Sequence, residues 1–152
     1  MDILELIRRD HRQVETLFLQ LGSTNEDTEL YQCFNQIYQE LNLHTEAEEQ
    51  VFYPALRECE GTEDLLKEAA QEHAQAKALL EEMKSISPAS EEFKTKIRQL
   101  NDAVQHHVEE EESEVFDTAR ECMNGEQLQE LGDEFEQAKN KLKHEIIAAL
   151  SQ

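Results

Sequence analysis

Apolar residues recur along the chain at alternating spacings of three and four, which is the period of one face of an α-helix. Runs that alternate every second residue, as half-buried strands do, do not occur in the sequence. Glycine and proline are scarce, with four and two residues respectively, so few positions interrupt the helical pattern. The pattern therefore predicts an all-α fold built from long helices.

Four breaks divide this pattern into five predicted helices. The breaks lie at Gly22, at Gly61-Thr62, at Ser87-Pro88 and at Asn124-Gly125. The predicted helices cover residues 2–21, 27–59, 63–85, 88–122 and 126–150. Because short connections make neighbouring helices antiparallel, the first four are expected to form an up-down-up-down four-helix bundle. We assign residues 1–125 to this bundle and residues 126–152 to a C-terminal helix that packs on or beside it, within a single domain.

Two residues disturb the helical pattern. Pro54 lies inside the second predicted helix, and it either kinks that helix or interrupts it. Gly132 lies inside the last predicted helix and weakens it by about 1 kcal/mol relative to alanine. The C-terminal helix is therefore expected to depend on packing outside the bundle.

The net charge of the chain limits the classes of molecule that it is expected to bind. With 14 basic and 35 acidic residues, the net charge is −21, so the surface repels phosphate backbones and anionic lipids. No apolar run approaches the ~18 residues of a membrane span, and the first residues lack the apolar stretch of a signal peptide. We expect a cytoplasmic protein with neither a nucleic-acid nor a membrane partner.

Six ionisable residues occupy positions where the apolar stripes would otherwise continue. They are His11 in the first predicted helix, His44 and Glu48 in the second, His73 in the third, and His107 and Glu111 in the fourth. The two halves of the chain repeat this pattern at an offset of 62 or 63 residues. An internal repeat of this kind predicts a roughly two-fold site in one core.

These six polar groups can be buried together only if another group, such as a metal ion, offsets the cost of burying them. A polar group buried alone costs roughly 2–7 kcal/mol, whereas a whole domain has only about 5–15 kcal/mol of net stability. A single core histidine is usually structural, but two His-x3-Glu pairs in phase with the stripes favour a metal site. Six nitrogen and oxygen ligands are more than one tetrahedral zinc ion can bind. They suit a pair of redox-active ions with a bridging carboxylate.

His106 competes with His107 for this role, because it also has a glutamate four residues later, Glu110. It lies off the apolar stripe of its helix, so we choose His107 and Glu111. We interpret His144 as a surface residue.

The three cysteines indicate less about function than the histidines and glutamates do. Cys33, Cys59 and Cys122 contain no Cys-x2-Cys pair, so a thiolate zinc site is not expected. Their odd number argues against a disulfide framework. Cys59 and Cys122 each follow a candidate ligand histidine by fifteen residues, which places them at one end of the bundle. A redox role stays open, but small semi-buried residues are the preferred interpretation.

The order of the candidate ligands along the chain is His, His-x3-Glu, His, His-x3-Glu. With its flanking residues, this order resembles the hemerythrin-like family of HHE cation-binding domains over residues 2–122. The motifs that carry the resemblance are Asp10-His11, His44-Thr-Glu-Ala-Glu48-Glu49 through Phe52-Tyr53-Pro54, Glu72-His73, and His107-Val-Glu-Glu-Glu111-Glu112 through Val115-Phe116. The resemblance implies a non-haem di-iron centre, with two iron ions per chain and an oxo or hydroxo bridge. It implies that the four histidines are terminal ligands and that the two glutamates bridge the irons.

One position departs from the oxygen-carrying hemerythrins, which have a further histidine four residues after the one in the third helix. This chain has Lys77 there. The site therefore resembles the four-histidine, two-glutamate subgroup, for which simple oxygen transport is not expected. That subgroup includes proteins linked to peroxide breakdown, nitric oxide handling, iron sensing and iron–sulfur cluster repair.

Three functions stay open. The first is a redox and stress-response protein that binds and reacts with dioxygen, peroxide or nitric oxide, with catalase-like turnover as its concrete form. No catalytic residue is identified for it; Tyr31, Tyr38 and Tyr53 are candidates only as polar aromatic residues. The second is iron sensing, storage or donation to iron–sulfur clusters, with an iron-acceptor or electron-transfer protein as partner. The third is a metal-free bundle whose last helix docks a partner.

Overall fold

The computed structural model describes the backbone of residues 1–150 and the side chains of residues 1–148. In chain order the elements are α1 (Ile3–Gly22), α2 (Asp27–Ala47), π1 (Glu48–Phe52), α3 (Tyr53–Arg57), α4 (Glu63–Met83), α5 (Glu91–Glu110), π2 (Glu111–Val115), α6 (Phe116–Cys122) and α7 (Gly125–Leu150). The described part of the chain contains no strand, so the predicted all-α class is confirmed. The end of the predicted C-terminal segment, residues 151–152, lies outside the described residues.

The second and fourth predicted helices are each composite. α2 runs through π1 into α3, and α5 runs through π2 into α6, without a turn between them. Pro54 lies in the first turn of α3, where its missing N–H is tolerated. It therefore neither ends the helix nor explains the π-turn before it, because π2 precedes Asp117 at the corresponding position of the other half.

The predicted start of the fourth helix was wrong by three residues. Pro88 lies in the turn before α5, and the helix begins at Glu91. The Ser90 hydroxyl accepts a 3.1 Å hydrogen bond from the Phe93 N–H, which makes Ser90 the N-cap. A serine cap satisfies a backbone donor, whereas a proline at the first helical position only avoids leaving one unpaired.

Two apolar clusters fill the interior. One joins the N-terminal half of α1 to π1, α3, α6 and α7, and it includes Ile7, Phe52 and Phe116. The other joins the C-terminal half of α1 to α2, α4 and α5, and it includes Val14 and Phe93. On α1 the change from one cluster to the other occurs between Ile7 and Val14. The polar residues that interrupt the stripes therefore lie between two apolar layers.

The C-terminal helix α7 packs against α1 and α2. Phe135 and Leu142 are buried in the first apolar cluster. Gly132 lies against the start of α1, where an added Cβ would overlap the Met1 carbonyl oxygen. The glycine that looked unfavourable for helix formation is therefore what allows α7 to approach α1 closely. None of the described helices combines the length and apolar character needed to span a membrane.

Two of the three cysteines are joined, which corrects the expectation from their odd number. Cys59 and Cys122 form a disulfide with their Cα atoms 6.0 Å apart. Their equivalent positions in the repeat bring them together at one end of the bundle, and an odd count leaves only Cys33 unpaired. Cys33 is buried, and its thiol donates a hydrogen bond to the Leu17 carbonyl.

Candidate metal centre

The six predicted residues converge between the two apolar clusters. They lie at His11 on α1, His44 on α2, Glu48 at the start of π1, His73 on α4, His107 on α5 and Glu111 at the start of π2. The two glutamate side chains have no exposed surface. His107 is the most accessible of the six, with 12% of its side chain exposed.

Both glutamates begin a π-helical turn. The Tyr53 N–H donates to the Glu48 carbonyl, and the Phe116 N–H donates to the Glu111 carbonyl, each across five residues. Such a turn inserts one extra residue into an α-helix and frequently marks a functional site. Its repetition at the same place in both halves ties it to the two glutamates.

Glu48 contacts a histidine from each half of the chain. Its Oε1 atom lies 2.9 Å from His44 Nε2 and 3.3 Å from His73 Nε2. One carboxylate therefore spans the two halves of the site.

Glu111 makes the complementary pair of contacts. His11 Nε2 lies 3.0 Å from its Oε1 atom, and His107 Nε2 lies 3.3 Å from its Oε2 atom. Across the second half of the site, the Nε2 atoms of His73 and His107 are 3.2 Å apart. The Nε2 atoms of all four histidines thus face the two carboxylates.

The outer nitrogen, Nδ1, of each of these four histidines contacts a second carboxylate. The Nδ1 contacts are His11 with Glu112 at 2.8 Å, His44 with Asp10 at 2.9 Å, His73 with Glu49 at 3.1 Å and His107 with Glu72 at 2.7 Å. A carboxylate at Nδ1 fixes the ring orientation and leaves Nε2 to bind a metal, as is usual for metal-ligating histidines.

Several of the inward-facing atoms lack a hydrogen-bonding partner of proper geometry. They are His11 Nε2, His44 Nε2, both carboxylate oxygens of Glu48 and Glu111 Oε1. Some of them lie within 3.0 Å of each other, but their orientation does not make a hydrogen bond. Buried polar atoms left in this way are strongly unfavourable, and cations among them would satisfy these atoms.

In the absence of metal, the carboxylates change the protonation of the histidines. Burial lowers the pKa of His44, but the nearby Glu48 charge and the hydrogen bond to Asp10 outweigh it and raise the pKa to about 10. Burial also raises the pKa of Glu111, but the charge of His107 and the close contacts of the carboxylate with His107 and His11 lower it well below its usual value. Metal binding must therefore displace protons from the histidines.

Tyr53 is a polar residue of the site that the pattern alone did not select. Its buried hydroxyl donates a 2.7 Å hydrogen bond to Glu111 Oε2 and lies 3.2 Å from His73 Nε2. Burial and the Glu111 charge raise its pKa well above the usual value for a phenol. Tyr53 therefore keeps its proton in the neutral range. Of the other two tyrosines, Tyr31 is 57% exposed and Tyr38 hydrogen-bonds Glu81.

A model of the hemerythrin HHE cation binding domain matches residues 2–119. The chain belongs to this hemerythrin family. The family binds metal cations, and the cluster of four histidines and two glutamates in this chain is consistent with that property. Among the described residues, three sets of ligand-type atoms have members within 4.8 Å of one another. Two lie in the interior: Glu48, His73, His107 and Glu111 in one, and His11, His44 and Glu111 in the other. The third, Glu68, Glu72, His106 and Glu110, lies at the surface.

Individual relatives extend this comparison. A protein of Nostoc sp. (strain PCC 7120) named DNA nickase is 40% identical over 146 residues, which are 96% of this chain but 41% of that protein. An uncharacterized hemerythrin-like protein of Schizosaccharomyces pombe is 25% identical over 139 residues, 90% of this chain and 68% of that protein. The chain thus spans about two fifths of the Nostoc relative.

The fold also has a solved counterpart. The crystal structure of a hemerythrin HHE cation binding domain-containing protein from Mycobacterium kansasii matches with a TM-score of 0.87. The match covers 100% of this chain and 93% of that one, at 19% identity. The arrangement of helices is therefore that of the hemerythrin-like fold.

The structure distinguishes the neighbouring histidines of α5. His106 has 64% of its side chain exposed and faces Glu110 at 3.0 Å on the surface, whereas His107 faces the interior. His144 is exposed on α7. The choice of His107 over His106 therefore agrees with where the two side chains lie.

The supporting residues of the site were not assigned from the sequence. A signal for them was nevertheless present, because each is the chain neighbour of a predicted ligand. Asp10 precedes His11, and Glu49 follows Glu48. Glu72 and Glu112 repeat this arrangement in the second half, as the neighbours of His73 and Glu111.

Proposed function

We propose that this chain is a non-haem di-iron protein of the four-histidine, two-glutamate type that binds and reacts with peroxide, dioxygen or nitric oxide. The observation that carries the proposal is the convergence of four Nε2 atoms on two buried carboxylates, three of whose four oxygen atoms lack a hydrogen-bonding partner. Four histidines and two glutamates from facing helices are a donor set that would suit two adjacent iron ions. We also propose that the first four long helices run in up-down-up-down order, because the connections between them are short.

The two glutamates support a bridged pair more than two separate ions. Glu48 lies against His44 and His73, and Glu111 lies against His11 and His107, so each carboxylate reaches both halves. Iron bound there would supply Lewis acidity and exchange electrons with a small ligand. The chain contributes the fixed geometry, the low-dielectric surroundings and the proton of Tyr53.

The space beside the histidines favours a small ligand. A cavity of about 30 Å³ is bounded by the four histidines, by Glu72 and by apolar residues that include Val14, Leu41 and Val104. Roughly 10–15 Å³ of such volume holds one water. The cavity has room for a ligand of the size of dioxygen, peroxide or nitric oxide.

Catalase-like turnover tests the proposal. Iron-loaded protein given hydrogen peroxide is expected to release dioxygen, with two peroxide molecules yielding two waters and one dioxygen. The matched controls are the apo-protein and the His107→Ala variant treated with the same iron. Dioxygen release no greater than in these controls would reject peroxide turnover.

Iron sensing, storage or donation is the alternative, and the net charge of −21 favours it because an acidic surface concentrates cations. It predicts that bound iron leaves readily. Transfer of radioactive iron to an apo iron–sulfur acceptor protein would support it. Iron that remains on the chain throughout that assay would count against it. An electron-transfer or iron-acceptor partner and a cytoplasmic location remain part of the proposal.

The name of the Nostoc relative raises a role on DNA, which the charge of this chain opposes. A net charge of −21 repels the phosphate backbone, and the match leaves more than half of that relative uncovered. We therefore propose no nucleic-acid partner, as well as no membrane partner, for this chain. Nicking of supercoiled plasmid by the iron-loaded protein, but not by its His107→Ala variant, would overturn the first of these.

A further inference from the structure

The proposed metal centre has two positions, one beside His11 and His44 and one beside His73 and His107. The internal repeat relates these positions, but the charges around them differ. Asp10 and Glu72 hold the outer nitrogens of His44 and His107, which are equivalent positions. Glu112 and Glu49 hold His11 and His73 in the same equivalent way. The four supporting carboxylates thus form two matched pairs, and their other contacts can be compared directly.

In the first half, both supporting carboxylates are paired with basic side chains. Lys139 Nζ of α7 lies 2.6 Å from Asp10 Oδ1, in a place where Asp10 is only 3% exposed. The Glu112 carboxylate lies 2.5 Å from Arg12 Nη2 and 3.5 Å from Arg8 Nε. Three cationic groups therefore offset the negative charge beside His11 and His44.

The second half has a more distant basic group, Lys77, whose charge adds to the hydrogen bond from His73 in lowering the pKa of Glu49 but forms no ion pair with it. Among the residues whose side chains are described, no lysine or arginine forms an ion pair with Glu49 or Glu72. The second contact of Glu72 is His106 Nε2 at 3.5 Å. Glu68 and Glu110 lie close by and add negative charge. The surroundings of His73 and His107 are therefore the more negative.

The number of ligand atoms differs in the same direction. Around His73 and His107, four residues bring a ligand atom within 4.8 Å of one another. Around His11 and His44, only Glu111 joins them in such a set. Both charge and ligand number thus favour a cation beside His73 and His107 over one beside His11 and His44.

We propose that the two metal positions fill in order, the His73/His107 position first and the His11/His44 position second, and that Lys139 makes the second position the weaker one. This inference rests on the proposed metal centre but not on its redox chemistry. Lys139 acts through Asp10 on His44, so it is a positioning residue contributed by α7. Its charge lowers the electron-donating power that Asp10 gives to the His44 ring, and it also repels a cation bound there.

Calorimetric titration of the apo-protein with Co²⁺ tests the order of filling. We expect two binding steps of different affinity in the wild-type protein. His107→Ala should remove the tighter step, and His44→Ala should remove the weaker one. Helix content measured by circular dichroism shows whether each variant is folded. Two equal steps, or loss of the tighter step in His44→Ala, would overturn the order.

Substitution of Lys139 tests its part without touching a ligand. Lys139→Met should strengthen the weaker step by about tenfold, because one positive charge is removed near the bound cation, and should leave the tighter step unchanged. Lys139→Arg should behave like the wild type. Lys143→Met, the same substitution one turn along α7, is the matched control and should change neither step.

The outcomes separate this inference from the proposed function. An unchanged weaker step in Lys139→Met, or an equal shift in Lys143→Met, overturns the role of Lys139. Absence of any Co²⁺ binding rejects the metal centre itself and the order of filling with it. Two steps with the expected assignments support the inference even where iron shows no peroxide turnover.

Discussion

Each ligand-type histidine of this chain is oriented by a contact at one of its two ring nitrogens. Its Nδ1 atom meets a supporting carboxylate, so the ring cannot rotate away from the site without breaking a charge-assisted contact. The Nε2 atom is therefore presented inward even before a metal binds. This pre-organisation reduces the conformational cost of binding a cation.

The raised histidine pKa values predict how the apo-protein responds to pH. A group whose pKa is higher in the folded state stabilises the fold fully below its unfolded pKa, about 6.5 for histidine, and loses that effect as pH rises through the folded pKa. For His44 the folded pKa is about 10. The free energy of unfolding of the apo-protein should therefore fall between about pH 6.5 and 10, by at most about 1.4 kcal/mol per pH unit for each such histidine. Urea unfolding across this range measures it.

The metal-loaded protein provides the control for that experiment. Bound metal keeps the imidazoles deprotonated, so the loaded protein should lose less stability over the same interval. The gap between loaded and apo midpoints should therefore widen as pH rises. Apo stability that stays level or increases from neutral to alkaline pH would contradict the histidine–carboxylate pairing.

Tyr53→Phe separates the proton of the phenol from its ring. The ring stacks on His73 at 5.4 Å between centroids, so phenylalanine should preserve packing and metal content. Loss of the O–H donor to Glu111 should lower peroxide turnover by about tenfold or more. Tyr31→Phe, at an exposed position, is the control. Equal turnover in both variants would remove Tyr53 from the chemistry.

At the residue scale, periodicity predicted where the ligand-type residues lie, because a buried histidine must interrupt an apolar stripe. Assignment of the six as metal ligands is still a prediction. The supporting carboxylates could not be selected in the same way, since this chain has 35 acidic residues. The sequence places Glu72 beside His73, but only contact geometry shows that it holds His107.

The π-turns are the feature at the scale of elements that sequence periodicity did not predict. They begin at Glu48 and Glu111 and change the helical phase by one residue. The π-turn lets neighbouring residues serve one site, with Glu48 inside and Glu49 holding His73 from outside. Such turns are rare and occur mostly as single insertions within α-helices, so a regular apolar period carries no signal for them.

Gly132→Ala tests how α7 is docked. Helix propensity alone predicts a gain of about 1 kcal/mol. The Met1 carbonyl lies where the new methyl group would be, so we expect a loss of about 1–3 kcal/mol from overpacking. Thermal or urea unfolding gives the sign directly.

Gly125→Ala is the matched control for that substitution. Gly125 begins the same helix, and an added Cβ meets nothing within 4 Å. This variant should be neutral or slightly more stable. A stabilised Gly132→Ala would contradict the close approach of α7 to α1, and with it the placement of Lys139.

On the scale of the whole molecule, the disulfide closes the end of the bundle beyond the site. Cys59 and Cys122 are 63 residues apart in sequence, and closing a loop of that size stabilises by about 4 kcal/mol in the chain-entropy model. Reduction should therefore lower the thermal midpoint clearly. A midpoint that does not respond to reductant in the wild-type protein would contradict this contribution.

The variant Cys122→Ser supplies the control. It should resemble the reduced wild-type protein and should not respond further to reductant. Cys122 is exposed, so serine is expected to be tolerated there. Because a cytoplasm keeps most thiols reduced, the reduced form is also the relevant one for the predicted location.

The overall class, the long helices and the internal repeat were predictable from sequence because each depends on a period that recurs over many residues. The disulfide was not, since it depends on where two helix ends meet, and the number of cysteines says nothing about that distance. The docking of α7 was likewise unpredictable, because Gly132 has opposite effects on helix propensity and on close packing. The division at residue 125 stays a prediction.

The central claim is that this chain holds two iron ions, and metal content per chain tests it most directly. The protein would be purified without added metal, loaded anaerobically with ferrous iron, desalted and measured by elemental analysis beside its His107→Ala variant. We predict about two irons per wild-type chain and fewer in the variant. No iron, or a single zinc, in the wild-type protein would contradict the account and leave a metal-free helical bundle.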